Sequence, residues 1–210
     1  AKKLEVMECL PAPNANLPIR VRFHYVDAAG APAFQDFTNP PTSTGPEWTV
    51  GSGVWPNHNR DQWVNPDGTS NTSIVPFYWE NLELNGVPVL TVKVNKLPAF
   101  LDALGAAPVS VNNSLAIWAN TASSATVKQP AIGPSLSTDM GVVIRDADDL
   151  VNYGALTGFT TGFSVVTDHR VYIVGDVNQV AMAAPANSGM PAGVQFFPPV
   201  SIFAAEKRFG

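Results

Sequence analysis

Three short apolar segments in the last third of the chain share one pattern, and they constrain the fold most. Residues 142–146, 164–168 and 172–176 each combine β-branched or aromatic side chains with a terminal aspartate. This pattern predicts short β-strands that each end at a turn. The final third of the chain is therefore expected to be a stack of short strands.

The spacing of the three segments allows two arrangements. The first two are offset by 22 residues (142 to 164) and the next two by 8 (164 to 172). A coil of short strands with about 20 residues per turn fits these offsets. The offset of 22 would stack two similar segments on each other, and the offset of 8 would carry the chain to the next face of the coil. In an ordinary meander, Asp168-His169-Arg170 is instead a tight hairpin loop.

Strand and turn signals continue through the rest of the chain. Residues 19–26 alternate apolar and polar side chains, which predicts a half-buried strand with His24 on its solvated face. Asn85-Gly86 predicts a hairpin turn before the strand at 89–94. Asn95 is a candidate N-cap for one short helix near 96–104, which ends at Gly105.

The predicted fold class is mainly β, with short stacked strands in a β-solenoid-like or sandwich arrangement and one short helix. Residues 1–80 are predicted to form an N-terminal β and loop region that carries a tryptophan-rich loop. Residues 81–210 are predicted to form a strand-rich domain.

Charge composition narrows the classes of function. Only 14% of the residues are charged, the net charge is −5 and the pI is near 5.0. Binding of nucleic acid requires a basic patch, and three separated pairs of basic residues do not form one. The longest uncharged stretch, residues 103–127, contains Pro108 and several asparagines, so no transmembrane segment is predicted. Low charge with abundant Asn, Thr and Pro favours an extracellular or cell-surface location.

Tryptophans in and beside a long loop are the most distinctive candidate interaction surface. Trp48, Trp55, Trp63 and Trp79 lie among asparagines and aspartates. Flat aromatic faces beside amide and carboxylate groups suit a glycan, and they equally suit a protein interface. Burial under the loop is the structural alternative.

Candidate metal ligands and catalytic groups are weaker. Asp146, Asp148 and Asp149 could supply oxygen ligands to calcium, although a turn-forming role is the simpler interpretation. The histidines are scattered, and both His58 and His169 are expected to be exposed. No catalytic residue and no other cofactor are predicted, and a hydrolase is only the third hypothesis.

Three motifs in the last third carry a family resemblance. They are GFSVVTD at 162–168, RVYIVGDVN at 170–178 and VSIFAA at 200–205. With the strands at 89–94 and 114–118, they make residues 81–205 resemble the C-terminal region of PilX-type type IV pilus assembly proteins and related pilin-like surface proteins. The resemblance implies a cell-surface or pilus-associated protein and transfers no catalytic residues.

Two functional hypotheses follow from these observations. The first is an extracellular structural subunit of a pilus, filament or surface layer, whose partners are copies of itself or other assembly subunits. The second is a carbohydrate-binding or adhesive surface module that uses the tryptophans.

Overall fold

Most of the protein that the structure describes lies in β-strands. The computed structural model describes residues 2–8, 20–37, 63–64, 70–71, 76–82, 87–107, 113–119, 141–186 and 188–209. In chain order the elements are β1 (Lys2–Glu8), β2 (Arg20–Val26), β3 (Pro32–Phe37), β4 (Trp63–Val64), β5 (Ser70–Asn71), β6 (Phe77–Leu82), β7 (Val87–Lys93), α1 (Leu97–Ala103), β8 (Ser114–Ala119), β9 (Gly141–Ala147), β10 (Phe163–Thr167), β11 (Arg170–Val177), β12 (Met182–Ala183), β13 (Gln195–Phe196), β14 (Val200–Phe203) and β15 (Glu206–Phe209). The prediction of a mainly β fold with one short helix is confirmed for these residues.

Two large sheets contain most of the strands. The six-stranded sheet has the order β14-β10-β8-β1-β2-β3, and the five-stranded sheet has the order β15-β11-β9-β7-β6. Strands β1, β8, β10 and β14 run parallel in the first sheet, as do β7, β9, β11 and β15 in the second. Antiparallel pairing joins β1, β2 and β3, and it also joins β6 to β7.

The strands of the second half alternate between the two sheets. From β7 the chain passes to β8, β9, β10 and β11, changing sheet at each step, and the pattern returns at β14 and β15. Each return to a sheet adds a parallel strand beside the previous one. This part of the protein therefore winds as a coil whose two sides are sheets.

The prediction that the offset of 22 residues stacks the first two segments, 142–146 and 164–168, on each other is wrong. Val142 pairs with Val171 in the five-stranded sheet, whereas Val165 pairs with Leu115 in the six-stranded sheet. The connection after β9 crosses to the opposite sheet, so the first and third segments of the sequence pattern stack on each other. The shorter offset of 8 does move the chain from one sheet to the other.

The inward faces of the two sheets form one apolar core. Alternation along each strand places every second side chain in this core. The strand residues of this core whose side chains are fully buried are Leu4, Val6, Val21, Phe23, Phe77, Leu90, Val92, Leu115, Ile117, Val142, Val165 and Val171. A smaller apolar cluster on the other side of the five-stranded sheet contains Val89, Val143, Tyr172 and Val174.

Strands from both regions predicted by sequence contribute to this core. β1 pairs with β8 across the sequence division at residue 80, and β6 contains both residue 80 and residue 81. Burial of the shared apolar surface therefore links the first strands of the chain to the last.

The short helix packs one face onto the core. Leu97, Phe100 and Leu101 of α1 are buried, and Gly105 has a φ of +64° just after the helix, as the sequence predicts. The predicted cap is wrong, because the N-cap residue is Lys96 and it makes no side-chain capping bond. Asn95 lies instead within a 3-10 turn, Val94–Lys96, that precedes the helix.

β11 has an irregularity at residues 175–178, where its sequence pattern predicts a turn. The register with β9 shifts between Val174 and Val177, and Gly175 has a φ of +81°. Asn178 also has a positive φ, and its side-chain amide donates to the carbonyl of Pro198 at 2.6 Å. Glycine and asparagine tolerate this backbone conformation better than other residues, so the sequence determines where the strand bends.

Candidate functional site

Among the described residues, β14 and β15 are the outermost strands at one side of the two sheets, and we call this side the open end. It consists of β14 and β15, the outermost strands of the six-stranded and five-stranded sheets. β14 pairs in parallel with β10, and β15 pairs in parallel with β11. An edge strand has a row of backbone groups that can pair with another strand, so the open end is a candidate site of association.

Apolar side chains at the open end are exposed on the inner side of the coil. Phe209 lies in register with Ile173, which is 4% exposed and belongs to the core. Phe209 itself is 77% exposed. In repetitive stacks the terminal repeat needs a polar outer face to remain soluble alone. The inner layer of the protein is open to solvent at this position.

The outer face of the six-stranded sheet is also apolar near the open end. Phe203 of β14 is 61% exposed and lies beside Val166 of β10, which is 44% exposed. Among the described residues, the exposed large apolar side chains are Val26, Phe34, Val166, Met190, Val194, Phe197, Phe203 and Phe209. Most of them lie between residues 166 and 209, so exposed apolar surface is concentrated towards the end of the chain.

The two strands of the open end differ in charge. β14 contains Val200, Ser201, Ile202 and Phe203, with no charged residue. β15 carries three charges in four residues, Glu206, Lys207 and Arg208. Charged residues on an edge strand oppose pairing with another chain. The uncharged edge of β14 is therefore the part of the open end best suited to strand addition.

An ion-pair network fixes β15 to β11. Arg170 is almost completely buried, and its Nε donates to Oε2 of Glu206 at 2.5 Å. Arg208 donates to the other carboxylate oxygen of Glu206 at 2.7 Å. Hydrogen bonds from Arg170 and Arg208 lower the pKa of Glu206 below its ordinary value of 4.5. Desolvation by burial acts to lower the pKa of Arg170, but the bond and charge of Glu206 raise it overall.

Replacing Glu206 with glutamine is expected to reduce stability at pH 7, and the difference from the native protein is expected to shrink as the pH falls below 4.5. Because the pKa of Glu206 is lower in the folded protein than in the unfolded chain, its stabilising contribution is complete above pH 4.5 and is lost as the pH falls through the lowered pKa. Denaturant unfolding of both proteins at several pH values measures this. Asp176→Asn is the control at an exposed carboxylate. A difference in stability that stays constant as the pH falls well below 4.5 would contradict the prediction.

Of the predicted calcium ligands, Asp146 lies within β9, whereas Asp148 and Asp149 lie at the bend that follows it. Asp149 accepts hydrogen bonds from the backbone nitrogens of Val151 and Asn152 and from the side chain of Asn152, at 2.8 to 2.9 Å. Desolvation acts to raise the pKa of Asp149, but these hydrogen bonds lower it overall. Within the described part of the chain, no group of three or more His, Cys, Asp or Glu residues is arranged to hold a metal ion. These contacts support the turn-forming role, and calcium binding by Asp146, Asp148 and Asp149 stays a prediction.

Asp149→Ala is expected to lower the free energy of unfolding by about 1–2 kcal/mol, since it removes hydrogen bonds to a charged acceptor. Asp148→Ala is a matched control, because Asp148 is the exposed neighbour. We expect a loss below about 0.5 kcal/mol for the control. Chemical denaturation measures both, and equal losses would show that the bonds of Asp149 do not stabilise the bend.

The tryptophan surface is only partly within the described residues. Trp63 lies in β4 and Trp79 lies in β6, which give their backbone positions. Trp48 and Trp55 lie outside the described residues, as does His58. A glycan-binding or assembly role for these tryptophans stays a prediction.

The prediction that His169 is exposed is wrong. His169 is fully buried rather than exposed, and its Nε2 lies 3.5 Å from Oδ1 of Asp168, so the adjacent side chains do approach each other. His24 lies on the outer face of the sheet, as predicted, and is half-buried there, with its Nε2 2.6 Å from Oε2 of Glu5 on the neighbouring strand. The ring of Trp118 lies 5.8 Å from the ring of His24. Cross-strand contacts of this kind depend on pairing between distant segments, which the local sequence pattern does not reveal.

The described residues thus form a coil with a β-sheet on each of two sides, in which β14 and β15 are outermost strands. No protein-family model matches the chain, and neither a curated protein nor a solved structure shows significant similarity to it. Among the described residues, no helix has the length and apolar character needed to cross a membrane.

Sequence reasoning did not find the open end. The VSIFAA segment at 200–205 was recognised only as a family motif, yet it contains the uncharged edge strand β14. A short apolar run close to the last strand of a stack was the available signal. Its meaning depends on the sheet order, which places β14 outermost.

Proposed function

We propose that this chain is an extracellular structural subunit of a pilus, filament or surface layer, and that it acts through self-association. The observation that carries the proposal is the open end, where the outermost described strands of both sheets have exposed apolar side chains. The low content of charged residues, 14%, also suits a protein whose surface is covered in an assembly. This function requires no active site.

Strand addition at β14 would extend the existing six-stranded sheet. The backbone of a new strand would pair with the free edge of β14, and its side chains would cover Phe203 and Val166. Burial of that apolar surface would favour association, and this gain must exceed the entropy that is lost when two copies combine.

Replacing Phe203 with lysine is expected to weaken self-association at least tenfold. The new charge lies on the edge strand at a position that is already 61% exposed, so the fold tolerates it while pairing is opposed. Light scattering and electron microscopy over a concentration series measure the effect. Val26→Lys on β2 is the matched control, since Val26 is 40% exposed and β2 lies inside the sheet.

The control variant is expected to assemble like the native protein. Native protein that forms polymers unaffected by Phe203→Lys would show that association uses another surface. Native protein that never associates would remove the proposed function itself.

A further inference from the structure

We infer that copies of this chain associate head to tail, with β14 of one copy adding to β3 of the next. The inference rests on the proposed function and specifies its partner and polarity. It is carried by one lateral row of side chains on the outer face of the six-stranded sheet, together with the charges of β15.

The lateral row runs across all six strands of that sheet. Its pairs follow the observed registers, in which each residue lies beside the next on the neighbouring strand. In order across the sheet, the row contains Phe203, Val166, Ala116, Lys3, His24 and Phe34. The row begins and ends with a phenylalanine, and these two side chains are 61% and 56% exposed.

Continuing the sheet into a second copy brings the two ends of the row together. β3 lies at the edge opposite to β14, and the alternating directions of β1, β2 and β3 make β3 parallel to β14. A copy displaced along the sheet therefore places its Phe34 beside Phe203 with the strand direction preserved. Aromatic pairs on neighbouring strands are favourable, so packing of these two exposed rings favours the arrangement.

A symmetric, edge-to-edge dimer is opposed by the charges of β15. If both sheets continued across a two-fold axis, β15 would pair antiparallel with its own copy. In an antiparallel pair, residues directly opposite each other face the same side of the sheet. At the two-fold axis, one residue of β15 therefore lies directly opposite the same residue of the second copy. For three of the four positions that residue is Glu206, Lys207 or Arg208. Like charges directly opposite each other are destabilising.

A head-to-tail interface of this kind leaves both ends available at every step. It is heterologous, and unless its rotation closes a ring it generates an open filament. Six strands at a spacing of about 4.8 Å give an axial rise of roughly 29 Å for each copy. The inferred filament thus has its strands perpendicular to its axis.

Two variants, each with one end blocked, test the polarity. Phe203→Lys blocks the open end and Phe34→Lys blocks the opposite edge, and both sites are more than half exposed. Sedimentation velocity should show that each variant alone is a monomer. An equimolar mixture should form a dimer containing one copy of each, because each variant retains the edge that the other has lost. Phe203→Glu and Phe34→Glu repeat the test with the opposite charge.

The outcomes separate this inference from the proposed function. Phe34→Lys that still dimerises alone would establish symmetric pairing through β14 and overturn the head-to-tail arrangement. A mixture that stays monomeric while the native protein polymerises would also overturn it. If the native protein does not associate at any concentration, the proposed function fails together with the inference. Circular dichroism of each variant confirms that the fold is retained.

Discussion

Replacing Phe23 with alanine is expected to lower the free energy of unfolding by about 3–5 kcal/mol. Phe23 is fully buried on β2, and it connects the two sheets and the helix. Its ring lies 6.4 Å from Phe77 of the five-stranded sheet and 5.1 Å from Phe100 of α1. Removing the ring leaves a cavity at this junction, and close packing on three sides prevents the surroundings from filling it.

Phe34→Ala is the matched control, since it removes the same atoms from a side chain on the neighbouring strand that is 56% exposed. We expect a loss of no more than about 1 kcal/mol there, because little apolar surface is withdrawn from water. Urea denaturation of both variants measures the difference. Similar losses at the two positions would contradict the assignment of Phe23 to the core between the sheets.

Replacing Gly162 with alanine is expected to destabilise the protein by about 2–4 kcal/mol. Gly162 has a φ of +116°, a conformation that costs other residues about 1–3 kcal/mol. An added Cβ would also lie 2.8 Å from the carbonyl oxygen of Pro199. That carbonyl accepts a hydrogen bond from the nitrogen of Phe163 at 2.9 Å, so moving it disturbs the alignment of β10 with β14.

Gly154→Ala separates backbone strain from the clash. Gly154 has a φ of +64°, and an added Cβ would meet no atom within 4 Å. We expect a loss of about 1–2 kcal/mol, from the backbone conformation alone. Thermal or chemical unfolding measures both variants. An equal loss at the two glycines would show that the close approach of Pro199 does not contribute.

Local pattern was sufficient to predict individual strands. The alternation at residues 19–26 corresponds to β2, and the segment that follows the Asn85-Gly86 signal corresponds to β7. β6 and β7 pair antiparallel, as a hairpin requires. These features depend on side-chain alternation and turn chemistry within about ten residues, which a single sequence contains.

Strand partners were harder to predict because they depend on contacts distant in sequence. The segments at 142–146 and 164–168 look alike, yet they lie in opposite sheets. A parallel ladder requires a long connection, and the length and path of that connection decide which strands meet. The sequence offered a repeat but did not specify the number of residues in one coil.

The open end could not be predicted from the sequence, because it too depends on contacts between distant segments. An edge becomes visible only when the order of strands is known, and no motif distinguishes β14 from an interior strand. Similarly, Arg170 reads in sequence as an ordinary polar residue at a strand start, although it is buried against Glu206. Burial of a charge depends on its partner in the folded chain rather than on its neighbours in sequence.

Self-association through the open end is the central claim, and sedimentation equilibrium of the native protein tests it most directly. The chain has a mass of 22.3 kDa, so its monomer is easily distinguished from larger species. We predict a weight-average mass that rises steadily as the protein is concentrated, and a rise that Phe203→Lys suppresses. A mass that remains at 22.3 kDa across the accessible concentration range would contradict the account.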